Sequence, residues 1–239
     1  MILRAENVGK RFFRRSGQAN HFYAVKGVSL ELIPGTVTVL MGRSGSGKTT
    51  LLHMLSGLLT PTEGKVWLDD IDLYALDDRA LSRLRNGRLG VVPQGRSAID
   101  TLTVMENILL PGSLYGAAPD MDSARRWMEA LDIINLADAR PAELSGGELR
   151  RMAIARALQQ NPDALLADEP TGDLDDENTH RVLATLRDAA RSGSTARDGS
   201  AARDSSAARV GRAVLIVSHD PVAEQYADRV MRMDGGEIS

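Results

Sequence analysis

The chain has 239 residues, 43 % of them hydrophobic and 26 % charged, enough for one large domain or two lobes around a shared core. A net charge of -3 and a pI of about 5.8 give no electrostatic case for nucleic acid. No cysteine is present, so disulfides and thiolate metal sites are excluded and a reducing compartment fits.

The first third carries short strand-like runs broken by Gly and Pro. Ile2–Glu6, Val25–Leu32 and Lys65–Leu68 point to a small antiparallel sheet. The basic run Lys10–Arg15 reads as a solvated strand edge and turn, with nucleic acid or lipid headgroups as the sharper alternative. Val37–Met41 reads as a buried strand, followed by a helix in which Leu51, Leu52, Leu55, Leu58 and Leu59 recur at helical spacing. Leu89–Val92, Ala164–Ala167 and Ala213–Val217 are further buried strands, and Val182, Leu183, Leu186 and Ala190 mark another helix. Strands alternating with helices predict an α/β domain with a largely parallel sheet. Residues 95–160 show no convincing strand and read as a helical lobe set into a core formed by residues 1–94 and 161–239. The N-terminus lacks the apolar stretch of a signal peptide. The longest aliphatic run, Ala213–Val217, falls far short of the roughly 18 residues that span a bilayer. Action at a membrane would need a span from another chain.

Ser192–Arg212 is almost entirely Ser, Ala, Gly, Arg and Asp, and it repeats imperfectly every six residues from Thr195. Such a segment buries too little apolar surface to offset its ordering entropy. It reads as a solvated loop, with a partner-binding insert as the alternative.

Chemistry enters at Gly42-Arg43-Ser44-Gly45-Ser46-Gly47-Lys48-Thr49, which matches G-x-x-x-x-G-K-[ST] between a predicted strand and helix. At average residue usage, the four fixed positions arise by chance in about 1 % of chains this long. Glycines let the backbone aim its N–H groups at phosphate, Lys48 reaches the β- and γ-phosphates, and the Thr49 hydroxyl ligates Mg²⁺. Thr50 continues the helix whose positive end faces the anion. The strand Ala164–Ala167 runs into Asp168 and Glu169, 120 residues beyond Lys48. There Asp168 can hold Mg²⁺ through a water, and Glu169 can polarise the attacking water. Leu144-Ser145-Gly146-Gly147-Glu148 opens another helix. Ser145 and Glu148 make an S-x-x-E capping box, the plainer reading. Two glycines inside a cap lower helix propensity, however, and suit a second anion site. One chain does not need two sites for one γ-phosphate, so this pattern favours a dimer completed by the partner's loop.

Together these segments resemble the nucleotide-binding subunit of ATP-binding cassette (ABC) transporters over essentially the whole length. Gly42–Thr49 is similar to the Walker A motif, Ala164–Glu169 to Walker B and Leu144–Glu148 to the signature motif. The resemblance implies a P-loop NTPase (RecA-like) core with an N-terminal antiparallel β subdomain and an inserted helical subdomain. It also implies ATP and Mg²⁺ as cofactors. Tyr23, 25 residues before Lys48, resembles the ring that stacks on adenine, with Phe22 as competitor. Gln94 resembles the Q-loop glutamine that touches Mg²⁺ and the water. Asp173 and Asp175, in Thr171–Asp175, resemble the D-loop at the dimer interface. His219 resembles the switch histidine at the γ-phosphate. Ser145, Gly146, Gly147 and Glu148 would meet the partner's ATP.

The resemblance implies an ATPase that dimerises and drives a separate transmembrane permease from the cytoplasmic face of the inner membrane, with no nucleic acid partner. Asp100–Tyr115, Thr171–Asp175 and Ser218–Ile238 are similar to the lipoprotein-release and macrolide-efflux subfamily, which leans toward export or extraction. The alternatives are a soluble ABC-type ATPase of translation or DNA repair, or a non-hydrolysing regulatory module. Glu169 and His219 argue against the latter, and a single cassette without heptads or cysteine argues against the former. Three departures stand out: Glu148 replaces the usual Gln, Gly95 follows Gln94 where a bulkier residue is common, and the 192–212 insert is long.

Overall fold

A computed structural model describes residues 3–13, 21–116, 118–192 and 211–239. From the N-terminus run β1 (Leu3–Phe13), β2 (His21–Leu32), β3 (Val37–Met41), α1 (Lys48–Leu55), β4 (Glu63–Leu68) and β5 (Ile71–Asp72). Then come α2 (Asp78–Arg88), β6 (Leu89–Val92), α3 (Val104–Ser113), α4 (Met121–Ala130) and α5 (Gly146–Gln159). The last elements are β7 (Ala164–Asp168), α6 (Asp176–Arg191), β8 (Ala213–Ser218), β9 (Arg229–Asp234) and β10 (Glu237–Ile238).

The first sheet is antiparallel, in the order β2-β1-β4-β5. The second has the order β10-β9-β3-β8-β7-β6 and is parallel except for the hairpin of β9 and β10. Buried on both faces, its central strands are continuous apolar runs, and their alternation feeds two cores. Leu165, Ala167, Val214 and Ile216 join a core with α3, α4, α5 and α6. Ala164, Leu166, Leu215 and Val217 join a second core with α1 and the antiparallel sheet. Between Val92 and Ala164 the described residues form helices and no strand. These helices share the first core with the sheet, Ile108 and Met128 lying fully buried in it.

Short polar side chains start the helices. Asp77, Thr103, Asp120, Ser145 and Asp175 each accept a bond from a backbone N–H of the first turn. The four buried strands lie where the apolar runs predict them. Sequence reading missed α2, whose residues are mostly polar, and β9, whose inward side chains are only Met231 and Met233. It also cut β1 and β2 short, since both extend into polar and aromatic residues.

The 192–212 insert lies mostly outside the described residues, but its two roots are fixed. Ser192 N–H donates to the Asp188 carbonyl (2.8 Å), Arg212 N–H to the Ala190 carbonyl (2.8 Å), and Gly35 N–H to the Arg212 carbonyl (3.0 Å).

Candidate active site

β3 lies between β8 and β9, so the glycine loop leaves the carboxyl end of a central strand, where open α/β sheets place ligands. Two loop glycines are dictated by neighbours. A Cβ on Gly42 would lie 2.3 Å from the Met233 carbonyl oxygen, and one on Gly47 would lie 2.1 Å from that of Ala24. The turn after β9 adds two bonds: Gly236 N–H donates to the Ser46 carbonyl (3.0 Å), and Lys26 N–H to the Gly236 carbonyl (2.8 Å). The loop is thus clamped between β2 and the turn after β9. Its outer residues Arg43, Ser44 and Gly45 are exposed. α1 begins at Lys48 with no side-chain cap, so its first N–H groups are not claimed by a capping side chain. Lys48 is buried and its Nζ donates to the carbonyls of Gly42 (2.6 Å) and Arg43 (3.1 Å). The Ser46 hydroxyl is buried without a partner.

Asp168 closes β7 and is 1 % exposed, with no well-formed hydrogen bond to either carboxylate oxygen. Burial pushes its carboxyl above the ordinary range, the Thr49 side chain pulls it back, and Lys48 adds a smaller pull. A buried carboxylate with orphaned oxygens beside a threonine is a fitting donor set for a hard cation such as Mg²⁺. Among the described residues no cluster of three or more His, Asp or Glu makes an all-protein cage.

Glu169 adopts φ 49, the left-handed region that costs a side-chain-bearing residue about 1–3 kcal/mol. Its N–H donates to the Val217 carbonyl (2.9 Å), which ties it to β8, and its carbonyl accepts from Gly172 N–H (3.1 Å). Its Oε2 lies 2.9 Å from Nδ1 of His219, which follows β8. Glu169 is mostly covered, whereas His219 is exposed.

The signature turn is a complete capping box. Ser145 Oγ accepts from Glu148 N–H (3.3 Å), while Glu148 Oε2 accepts from Ser145 N–H (2.7 Å) and Ser145 Oγ (2.8 Å). These bonds hold the Glu148 carboxyl below the usual range and turn it back onto the cap. Gly147 packs on the loop after β7, a Cβ there lying 3.0 Å from Leu174 Cδ2, and Gly146 lies nearest Asp173. Asp175 caps α6, and Asp173 adopts φ 65. Gln94 is exposed, and its carbonyl accepts from Arg150 Nη2 (2.6 Å). Nothing in the sequence marks Arg150 apart from the neighbouring arginine on its helix.

The aromatic rings near the loop divide between two faces of the hairpin. Lys10 pairs with Val25 and Arg11 with Tyr23, so Ala24 is an extra residue on β2. A slip of this kind reverses the face of the residues beyond it. Phe12 and Phe22 pair directly and stack at 5.8 Å, on the β1 face that also carries Lys10 and the buried Val8. Tyr23 shares the opposite face with Arg11, and its hydroxyl donates to Glu63 (3.1 Å). Tyr23 and the stacked pair Phe12 and Phe22 thus stand on opposite faces of the hairpin.

The family model described as ABC transporter matches residues 25–172, which include the glycine loop, the signature turn and Glu169. The chain belongs to the ABC transporter family. The lipoprotein-releasing system ATP-binding protein LolD of Pseudomonas syringae is 36 % identical over 240 residues, covering 99 % of this chain and 96 % of that protein. An uncharacterized ABC transporter ATP-binding protein of Thermotoga maritima is 41 % identical over 175 residues, 72 % of this chain and 74 % of the relative. Among solved structures, the cassette MJ0796 of Methanocaldococcus jannaschii, a dimer in a post-hydrolysis state bound to ADP and Pi, superposes with a TM-score of 0.85. It shares 32 % identity, with 100 % of this chain and 97 % of that one covered. The chain is accordingly an ATP-hydrolysing cassette that powers a membrane permease. No described helix is long and apolar enough to cross a membrane. These relatives share the transporter reading and lend nothing to translation or DNA repair.

Proposed function

We propose that two copies close head to tail around two ATP molecules and that closure drives a permease of the lipoprotein-releasing or extracting type from the cytoplasmic face of the membrane. The relative named for lipoprotein release, matched end to end, supports the type. The observation that carries the chemistry is the Glu169–His219 contact beside the buried Asp168.

In this reading Lys48 exchanges its two loop carbonyls for β- and γ-phosphate oxygens. The free N–H groups of the loop and of α1 receive the rest of the charge. Asp168, Thr49 and Gln94 are the residues that would hold Mg²⁺, which when bound neutralises charge on the β- and γ-phosphates. Glu169 accepts a proton from water as its oxygen attacks the γ-phosphorus and the bond to ADP breaks. His219, held by Glu169, donates to a γ-phosphate oxygen. Ser145, Gly146 and Gly147 of one copy face the γ-phosphate held by its partner, with Asp173 and Asp175 at the same seam. Phe12 and Phe22 offer the adenine a stacked face.

Glu169→Gln keeps the backbone and removes the base. It should bind ATP, accumulate as a nucleotide-dependent dimer in size-exclusion chromatography and lose turnover. Wild-type hydrolysis in this variant would overturn the base assignment.

A further inference from the structure

The loop that carries Gln94 has little packing of its own. Gln94, Gly95 and Arg96 are exposed, and a Cβ on Gly95 would touch nothing within 4 Å. Its backbone is instead held from α5. Arg150 donates from Nη1 to the Pro93 carbonyl (2.7 Å) and from Nη2 to the Gln94 carbonyl (2.6 Å). Further along, Arg156 Nη1 donates to the Ser97 carbonyl (2.7 Å) and Nη2 to Ser97 Oγ. Two arginines on one helix therefore fix both ends of the loop.

Arg150 does more than Arg156. Nη2, besides holding Gln94, lies 3.9 Å from where a Cβ on Gly172 would stand. The acids whose charge it feels are Asp173, Asp168 and Glu169. One guanidinium thus bonds the Gln94 loop to the helix that begins at the signature turn and lies beside the loop after β7. Consecutive carbonyls aimed at one planar fork fix the peptide between Pro93 and Gln94, and hence the root of the Gln94 side chain. An ammonium is a point donor and cannot reproduce that fork.

We propose that Arg150 is a positioning residue for ATP hydrolysis, acting through Gln94. The inference rests on the role given to Gln94 above. Its geometry also makes α5 the rigid link by which a shift of the Gln94 loop reaches Ser145–Gly147, the turn that serves the partner's nucleotide.

A double-mutant cycle on the full-length chain tests this, with kcat and KM for ATP measured for R150A, R150K, Q94A and the combinations. Misplacement of a reacting group by about 1 Å costs up to 100-fold, so R150A should lower kcat at least tenfold with KM within about twofold. R150K should fall between R150A and wild type. In the Q94A background, R150A and R150K should remove less than about twofold more, because the group they position is gone. Should R150A not fold, R150K with the cycle carries the test. Wild-type kcat in the folded Arg150 variants, a loss confined to KM, or losses that multiply in the Q94A background would overturn the inference. An unchanged kcat in Q94A itself would instead overturn the reading of Gln94.

Discussion

Glu169 Oε2 and His219 Nδ1 meet at 2.9 Å across 50 residues of chain, and each is delivered by the end of a parallel strand. β7 and β8 are paired neighbours, so the register that aligns Asp168 with Val217 also sets this contact. Replacing His219 by Ala should leave ATP affinity within a few-fold and lower kcat by about 100-fold, the scale of a lost proton-handling or orienting group. Single-turnover hydrolysis checks it, with E169Q as the reference for complete loss.

Asp168 makes a prediction about stability. Its folded pKa is raised, so the folded state holds its proton more tightly than the unfolded chain does. Its contribution to stability is therefore greatest below the ordinary aspartate pKa and is lost as pH rises through the raised value. Asp168→Asn should flatten that part of the pH–stability profile and leave the nucleotide-free protein at least as stable at neutral pH. It should also abolish the Mg²⁺ dependence of ATP binding. Thermal melts across pH, with and without Mg-ATP, separate the two effects.

The aromatic hairpin is tested by contrast. Stacking on an aromatic pair is worth about 1 kcal/mol, so Phe12→Ala should weaken ATP binding about five- to tenfold. Tyr23→Ala removes the ring on the opposite face, with its hydroxyl bond to Glu63, and should leave affinity within twofold. Equilibrium titration with a fluorescent ATP analogue reads both. A reversed order would restore Tyr23 as the stacking ring.

The insert is tested by removal. Because Arg212 N–H already donates to the Ala190 carbonyl, the chain can turn directly from Ser192 and Gly193 into Gly211. Deleting Ser194–Val210 shortens a loop whose closure entropy scales with the logarithm of its length, a gain of about 1–2 kcal/mol. Folding and the ATPase rate of the isolated subunit should persist, as read by thermal melting and phosphate release.

Much of this architecture was legible because strands buried on both faces must be apolar throughout. Val37–Met41, Leu89–Val92, Ala164–Asp168 and Ala213–Ser218 could hardly be read otherwise. The glycine loop and the acids at 168 and 169 were equally plain, since phosphate chemistry permits few residue types there. The Ser145–Glu148 box was readable from spacing alone, and the structure adds that its bonds turn Glu148 back onto the cap. What the sequence hid were relationships set by register. Nothing local announces that Ala24 is an extra residue, yet it decides which aromatic ring faces which way. Arg150 looks like any exposed helical charge until the fold brings Pro93 and Gln94 over it.

The clamp on the glycine loop has a consequence for how the protein is made. Gly42 is bounded by Met233, Ser46 is bonded to Gly236, and Gly47 is bounded by Ala24. The walls that give the motif its shape lie on both sides of it in sequence, Ala24 before it and Met233 and Gly236 far beyond it. A nascent chain that stops before β9 carries every residue of the phosphate loop without the surface that forms it. Nucleotide binding thus waits on β9 and the turn after it, and affinity for ATP reports that they have docked.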